Sequence, residues 1–227
     1  MIGTIVNTLS IIAGSLIGLL CRGSIPDKYS QTMMHAIGLA VVMIGLRTAL
    51  STDAIVVVIC SLAIGSFLGE LLCIEDRLNR LGNWLGQKYS KDGQSVSKGF
   101  VNASLLFCVG AMAIVGALES GLSGDHQTLF AKSVIDGITS ILFASTLGIG
   151  VLFSAASVFL YQGLITVAAS AIKEFLVPEV VAQMSAVGGL LIMAIGLGLL
   201  EIKKIKIGNM LPAIFIPFVC QIVTRLF

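Results

Sequence analysis

The chain is a succession of apolar runs, each close to the roughly 20 residues a helix needs to cross a bilayer, parted by short polar breaks. The runs cover residues 2–21, 33–50, 54–74, 100–118, 180–200 and 207–227, and a further block at 128–172 is too long for one helix. Backbone polar groups in hydrocarbon must be satisfied within their own segment, so such runs fold as helices. Composition agrees. Charged residues make up 11% and the mean hydropathy is +1.02, whereas a soluble domain carries about 25% charged residues. The expectation is an all-α polytopic transmembrane helical bundle forming one integral membrane domain over 1–227. Gly148-Ile149-Gly150 divides the long block and gives eight helices. If that break were only a kink, there would be seven.

Charge placement favours eight. With eight alternating spans, ten of the fourteen basic residues fall on one side: Arg22, Lys28, Arg77, Arg80, Lys88, Lys91, Lys98, Lys203, Lys204 and Lys206. The positive-inside rule makes that side cytoplasmic and puts both termini outside. The long polar stretch 75–98 then lies in the cytoplasm. Leu78, Leu81, Trp84 and Leu85 recur there at helical spacing, which predicts a helix in the interface with Trp84 at headgroup depth; a solvated linker is the alternative. The N-terminus lacks a basic segment and a small-residue cleavage site, so the first helix is expected to be retained.

Residues 33–46 align without gaps to 184–197, matching Met33, Gly38, Leu39, Ile44, Gly45 and Leu46 with Met184, Gly189, Leu190, Ile195, Gly196 and Leu197. Pro26-Asp27 and Pro178-Glu179 precede the two copies. The second and seventh helices would cross in opposite directions, which makes this an inverted-topology repeat of the kind found in secondary transporters; chance similarity of Gly-rich apolar helices is the alternative. Small residues also recur every four positions, at Ser10, Gly14 and Gly18 and at Ser61, Gly65 and Gly69. Such faces let helix backbones approach closely in lipid, within the chain or at a homodimer contact.

Polar groups at membrane depth narrow the function. An ionised side chain at the bilayer centre costs about 2.5–3.5 kcal/mol on insertion scales, so it faces protein or water. The fifth helix carries Lys132 and Asp136 at i, i+4, then Thr139 and Ser140. Lys132 lies near the predicted outer end and could snorkel, whereas Asp136 is two turns in. Asp136 suits three roles: a structural partner for Lys132, a ligand for a cation, or a proton carrier. Asn102, Asn7 and Gln162 are candidate neutral ligands. Glu70 and Glu119 sit at helix ends and read as boundary residues. Gly110 and Gly116 interrupt the fourth helix, and Pro212 and Pro217 the eighth, where Asn209–Ala213 becomes a candidate unwound ligand segment.

Other chemistries find no residues. There is no phosphate-binding glycine loop, no paired CxxC and no His pair at metal spacing, and His35 and His126 stand apart. No cofactor, metal site or enzymatic constellation is expected, and the membrane-hugging basic residues do not suggest nucleic acid. Cys21, Cys60, Cys73, Cys108 and Cys220 are expected to be buried apolar thiols.

Several segments together resemble the YdfK/YqgA-like bacterial inner-membrane family, catalogued as domain of unknown function 554. They are the Asn7 helix, residues 107–112 and 114–117, Gly124-Asp125, residues 132–137 and 148–151, residues 185–189 and 209–213. The resemblance implies a multi-pass protein of the bacterial cytoplasmic membrane and brings no substrate. The residues themselves suggest a secondary transporter of a small solute or monovalent ion, with Asp136 as its ion or proton site. An oligomeric channel and a non-transporting scaffold or sensor are the other readings.

Overall fold

The computed structural model describes residues 1–22, 27–80, 93–109, 111–172 and 175–226, and among them every regular element is helical. In chain order these are α1 (Ile2–Arg22), α2 (Asp27–Ala49), α3 (Ile55–Leu71), α4 (Ile74–Arg80), α5 (Gly93–Cys108), α6 (Ala111–Leu122), α7 (Gln127–Leu147), α8 (Gly150–Ile172), α9 (Pro178–Leu199), a 3-10 helix η1 (Ile207–Phe215) and α10 (Ile216–Leu226). Among the described residues five helices are long and apolar enough to cross a membrane, or up to seven if each bent pair is one span. The bent pairs are α3–α4, at 55°, and α5–α6, at 60°. The apolar part of α2, Met34–Ala49, is shorter. Leu20, Leu50, Val56 and Val167 are among many large apolar side chains left exposed, as lipid-facing surfaces are. Leu81, Trp84 and Leu85 of the expected interfacial helix lie outside the described residues.

The sequence breaks take distinct forms. Gly148 ends α7 with φ +79°, and the Arg22 guanidinium lies where a side chain at Gly148 would begin. Only glycine adopts that backbone freely and leaves that space. The fourth run ends α5 at Cys108 and resumes at Ala111. The eighth run starts as a 3-10 helix with Pro212 inside it. Pro217 lies where the 3-10 helix gives way to α10, of which it is the second residue.

The chain divides into two compact units. The first comprises Met1–His35, Leu78–Cys108 and Met112–Ser170. In it α1 lies parallel to α7: Gly3 meets Leu129, Gly14 meets Gly137 and Ser140, and Gly18 meets Ile141 and Ala144. The predicted small-residue face of α1 is therefore a packing face. Phe107 on α5 tilts against Phe143 on α7, ring centroids 6.5 Å apart, and Ile11, Leu129 and Val158 of the same unit are fully buried.

The second unit comprises Ala36–Arg77, Val109–Ala111 and Ala171–Phe227. The small-residue face of α3 packs antiparallel on η1, Gly65 against Ala213 and Gly69 against the Asn209 backbone. Likewise α2 packs antiparallel on α9, Gly38 against Gly196 and Gly45 against Gly189. Of the α9 apolar window 78% is buried, against 33–44% in the other four long spans. So α9 is a central helix, not a lipid-facing one. The cysteines correct an expectation: Cys21, Cys60, Cys73 and Cys220 are exposed and Cys108 is half-buried. In lipid an outward helix face is as apolar as the core, so hydropathy does not separate the two.

Close backbone approach predicts a graded response to added methyl groups. Gly14→Ala drives a Cβ into the Gly137 carbonyl and the Ser140 hydroxyl and should destabilise by about 1–3 kcal/mol. Gly163→Ala has only the Met1 methyl nearby and should be neutral or stabilising by about 0.5–1 kcal/mol. Reversible unfolding in mixed micelles measures both; equal effects would contradict this packing.

Candidate functional site

Residues four apart share a helix face, and on α7 that places Lys132 directly over Asp136. Both are buried, 6% and 4% exposed. Lys132 folds its stem along the helix instead of snorkelling outward. Its ammonium donates to both carboxylate oxygens of Asp136, at 2.8 Å to Oδ1 and 2.7 Å to Oδ2. Two other helices complete the group. Asn7 on α1 donates through Nδ2 to Asp136 Oδ2 at 3.0 Å and to Gln162 Oε1 on α8 at 3.3 Å. Asn7 and Gln162 are fully buried. Three helices of one unit thus join in one polar group within candidate membrane spans, α8 through its bond to Asn7.

Two atoms of the group, Asn7 Oδ1 and Gln162 Nε2, have no protein partner among the described residues. One is an acceptor and the other a donor. Buried polar side chains are ordinarily bonded, so the amides are not explained by holding the helices together alone. A second polar layer lies one turn away. Thr4 and Thr166 bring their hydroxyls within 3.5 Å, and Thr166 also donates to the Gln162 carbonyl at 2.8 Å. Towards the other end Ser10 sits over Gly137, and on the Thr4 side Ser133 returns its hydroxyl to the Leu129 carbonyl. The Cys108 thiol lies within electrostatic reach of both Lys132 and Asp136.

The structure sorts the sequence candidates. It gathers Asp136, Lys132, Asn7 and Gln162. Ser140 is buried on the same face, but its hydroxyl bonds the Gly137 carbonyl. Thr139 was expected to share that face. It is half-exposed and turns its hydroxyl to the Ile135 carbonyl, the usual local bond of a helical threonine. Asn102 is half-buried on α5 and has no hydrogen bond to the group among the described residues. Thr4 and Thr166 were not singled out from sequence, although each follows from its spacing: Thr4 is three residues before Asn7, and Thr166 four after Gln162.

Asn209 belongs to a different cluster, in the second unit. Its Nδ2 donates to Glu70 Oε2 at 2.6 Å, and its Oδ1 accepts from the Glu75 backbone N–H at 2.6 Å. Glu75 in turn accepts from the Gly208 N–H at 2.6 Å, and Lys206 donates to Glu70 at 2.8 Å. This clasp ties the start of η1 across the α3–α4 break, where Cys73 has φ +50°. Its hydrogen bond to Glu70 holds the Lys206 ammonium above its ordinary range. Glu70 is a boundary residue as expected, and on α6 Glu119 accepts from Thr128 at 2.7 Å.

The family described as "Protein of unknown function (DUF554)" matches residues 2–222. The chain belongs to the DUF554 family. Among relatives in this family, the "Uncharacterized membrane protein YdfK" of Bacillus subtilis (strain 168) is 38% identical over 231 residues, covering 100% of this chain and 98% of its own. The "Uncharacterized protein YqgA" of Escherichia coli (strain K12) is 30% identical over 221 residues, covering 95% and 94%. No solved structure matches. The match to a membrane protein and the long apolar helices agree on a membrane location for this DUF554 chain.

Breaking one side of the ion pair has a predictable cost. Lys132→Met leaves a buried carboxylate uncompensated and should destabilise by about 3–5 kcal/mol, whereas pairing it with Asp136→Leu should restore most of that loss. Unfolding in micelles measures the cycle. A double variant as weak as the single one would contradict the geometry.

Proposed function

We propose that this protein is a secondary transporter of a small solute or ion across the bacterial cytoplasmic membrane, with Asp136 as its ion or proton site. One observation carries the proposal: a carboxylate buried in a span, held by a neighbouring ammonium and by the Asn7 amide of a second helix, which also bonds Gln162 of a third, with one polar atom of each amide lacking a protein partner. A purely structural pair needs none of this, because apolar residues of similar volume hold a buried site as well or better. Ionisable groups inside membranes tend instead to mark solute, ion and proton paths.

Helix directions support eight crossings. Spans alternate in direction along a chain. If α3–α4 and α5–α6 each cross once, and α2 crosses despite its short apolar part, then α7 is fifth, α9 seventh and η1–α10 eighth. First and fifth should then be parallel; second and seventh, and third and eighth, should be antiparallel. The contacts of α1 with α7, α2 with α9 and α3 with η1 have those directions. Merging α7 and α8 at Gly148 would make α9 the sixth span, parallel to α2, against its packing. With the basic residues inside, both termini lie outside.

The packing of α2 on α9 also supports the inverted repeat. Gly38 aligns with Gly189 and Gly45 with Gly196. In space the first glycine of each copy meets the second of the other, as a two-fold relation between copies requires. Transporters built from inverted repeats place their sites near the midplane.

The test is gradient dissipation by purified protein in sealed vesicles supplied with a mixture of small metabolites. Under an imposed pH or sodium gradient the parent should dissipate it faster than empty vesicles, and Asp136→Asn should fall to the empty-vesicle rate. A variant that dissipates the gradient as fast as the parent would remove Asp136 from the role.

A further inference from the structure

We infer that Lys132, Asp136, Asn7 and Gln162 form the binding site for a small zwitterionic solute, one carrying a carboxylate and an ammonium a few bonds apart. This rests on the transporter proposal and names its substrate class. Charge is the first argument. Lys132 and Asp136 are both buried inside a candidate span and sum to zero. As the transported solute, a lone cation would leave a net positive charge in the membrane, and a lone anion a net negative one. Uncompensated charge at that depth is strongly unfavourable. A zwitterion leaves the sum at zero.

Hydrogen-bond chemistry is the second argument, and it is independent of the first. Within this group, the two atoms without protein partners among the described residues are Asn7 Oδ1, an acceptor, and Gln162 Nε2, a donor. A metal ion would satisfy the acceptor and leave the amide N–H unpaired, and a simple anion would do the reverse. An ammonium suits the acceptor and a carboxylate the donor. The amides therefore repeat, in neutral form, the polarity of the charged pair beside them, since Asn7 bonds Asp136 directly and Gln162 through Asn7.

Binding follows as an exchange of ion pairs. The solute ammonium replaces Lys132 on the Asp136 carboxylate, and the solute carboxylate takes up the freed Lys132 ammonium. No proton moves, no covalent bond changes, and both protein charges keep a partner. The walls limit size. Thr4 meets Thr166 one turn from the amides, and Ser10 meets Gly137, the residue after Asp136, so the side chains shown there are small. The site favours solutes of the size of glycine or alanine over those with bulky side chains.

The experiment is thermal unfolding of the full-length protein in detergent, titrated separately with glycine, alanine, methylamine, acetate and sodium chloride. Glycine or alanine should raise the unfolding temperature in a saturable way, and the other three should not. Gln162→Leu should weaken that binding by about tenfold, the worth of one buried hydrogen bond. The double substitution Lys132→Met with Asp136→Leu keeps the charge sum and is expected to fold, so it serves where the single variants do not; its shift should vanish. No response of the parent to either zwitterion overturns the inference, and so does a saturable response to sodium chloride alone. A double variant that retains the shift also overturns it, because binding then lies elsewhere. Gradient dissipation that depends on Asp136, found together with no zwitterion binding, removes this inference and leaves the transporter proposal standing. Zwitterion binding with no such dissipation does the opposite.

Discussion

A charge set two turns into a membrane helix must be answered by the chain, because lipid cannot answer it. Lys132 answers Asp136 from the same helix, through both carboxylate oxygens. That local pairing lets the rest of the unit assemble around α7. Asn7 and Gln162 reach the pair only because α1 and α8 come in close, and α1 comes close because Gly14 and Gly18 carry no side chain where Gly137 and Ile141 present their carbonyls. The polar group and the glycine face are thus two parts of one arrangement. In lipid, which offers no hydrophobic drive between helices, close packing and interhelical hydrogen bonds are what hold them.

The same device recurs with different consequences in the second unit. Gly65 and Gly69 bring α3 against η1, and there the approach sets Asn209 across a helix break, where both ends of its side-chain amide are bonded. The contrast with Asn7 and Gln162 is informative. An amide bonded at both ends is accounted for by the fold. Two buried amides with one free acceptor and one free donor are not, and they sit beside the membrane-embedded ion pair.

Much of this was legible in the sequence for reasons of local geometry. The Lys132–Asp136 contact follows from i, i+4 spacing, and the end of α7 from a glycine whose backbone other residues rarely adopt. The small-residue faces were visible as packing faces. What spacing alone does not reveal is which helix each face meets. Asn7 met Asp136 and Gln162 met Asn7 while Asn102 met neither, and Asn209 met Glu70 and Glu75, because helix pairing is decided by contacts far apart in the chain. Thr139 was misplaced because a helical threonine satisfies its hydroxyl on its own backbone. The cysteines were misplaced because an apolar residue in lipid carries no sign of which way it faces.

The central claim is that Gln162, fully buried beside the ion pair, lines a site that opens to water during the working cycle. Q162C in a background lacking the five native cysteines tests it directly, by modification with a membrane-impermeant thiol reagent in right-side-out and inverted vesicles. The account predicts modification from both sides, slowed by a small zwitterion. A thiol that stays unmodified from either side would mean a dry, permanently packed ion pair and would contradict it.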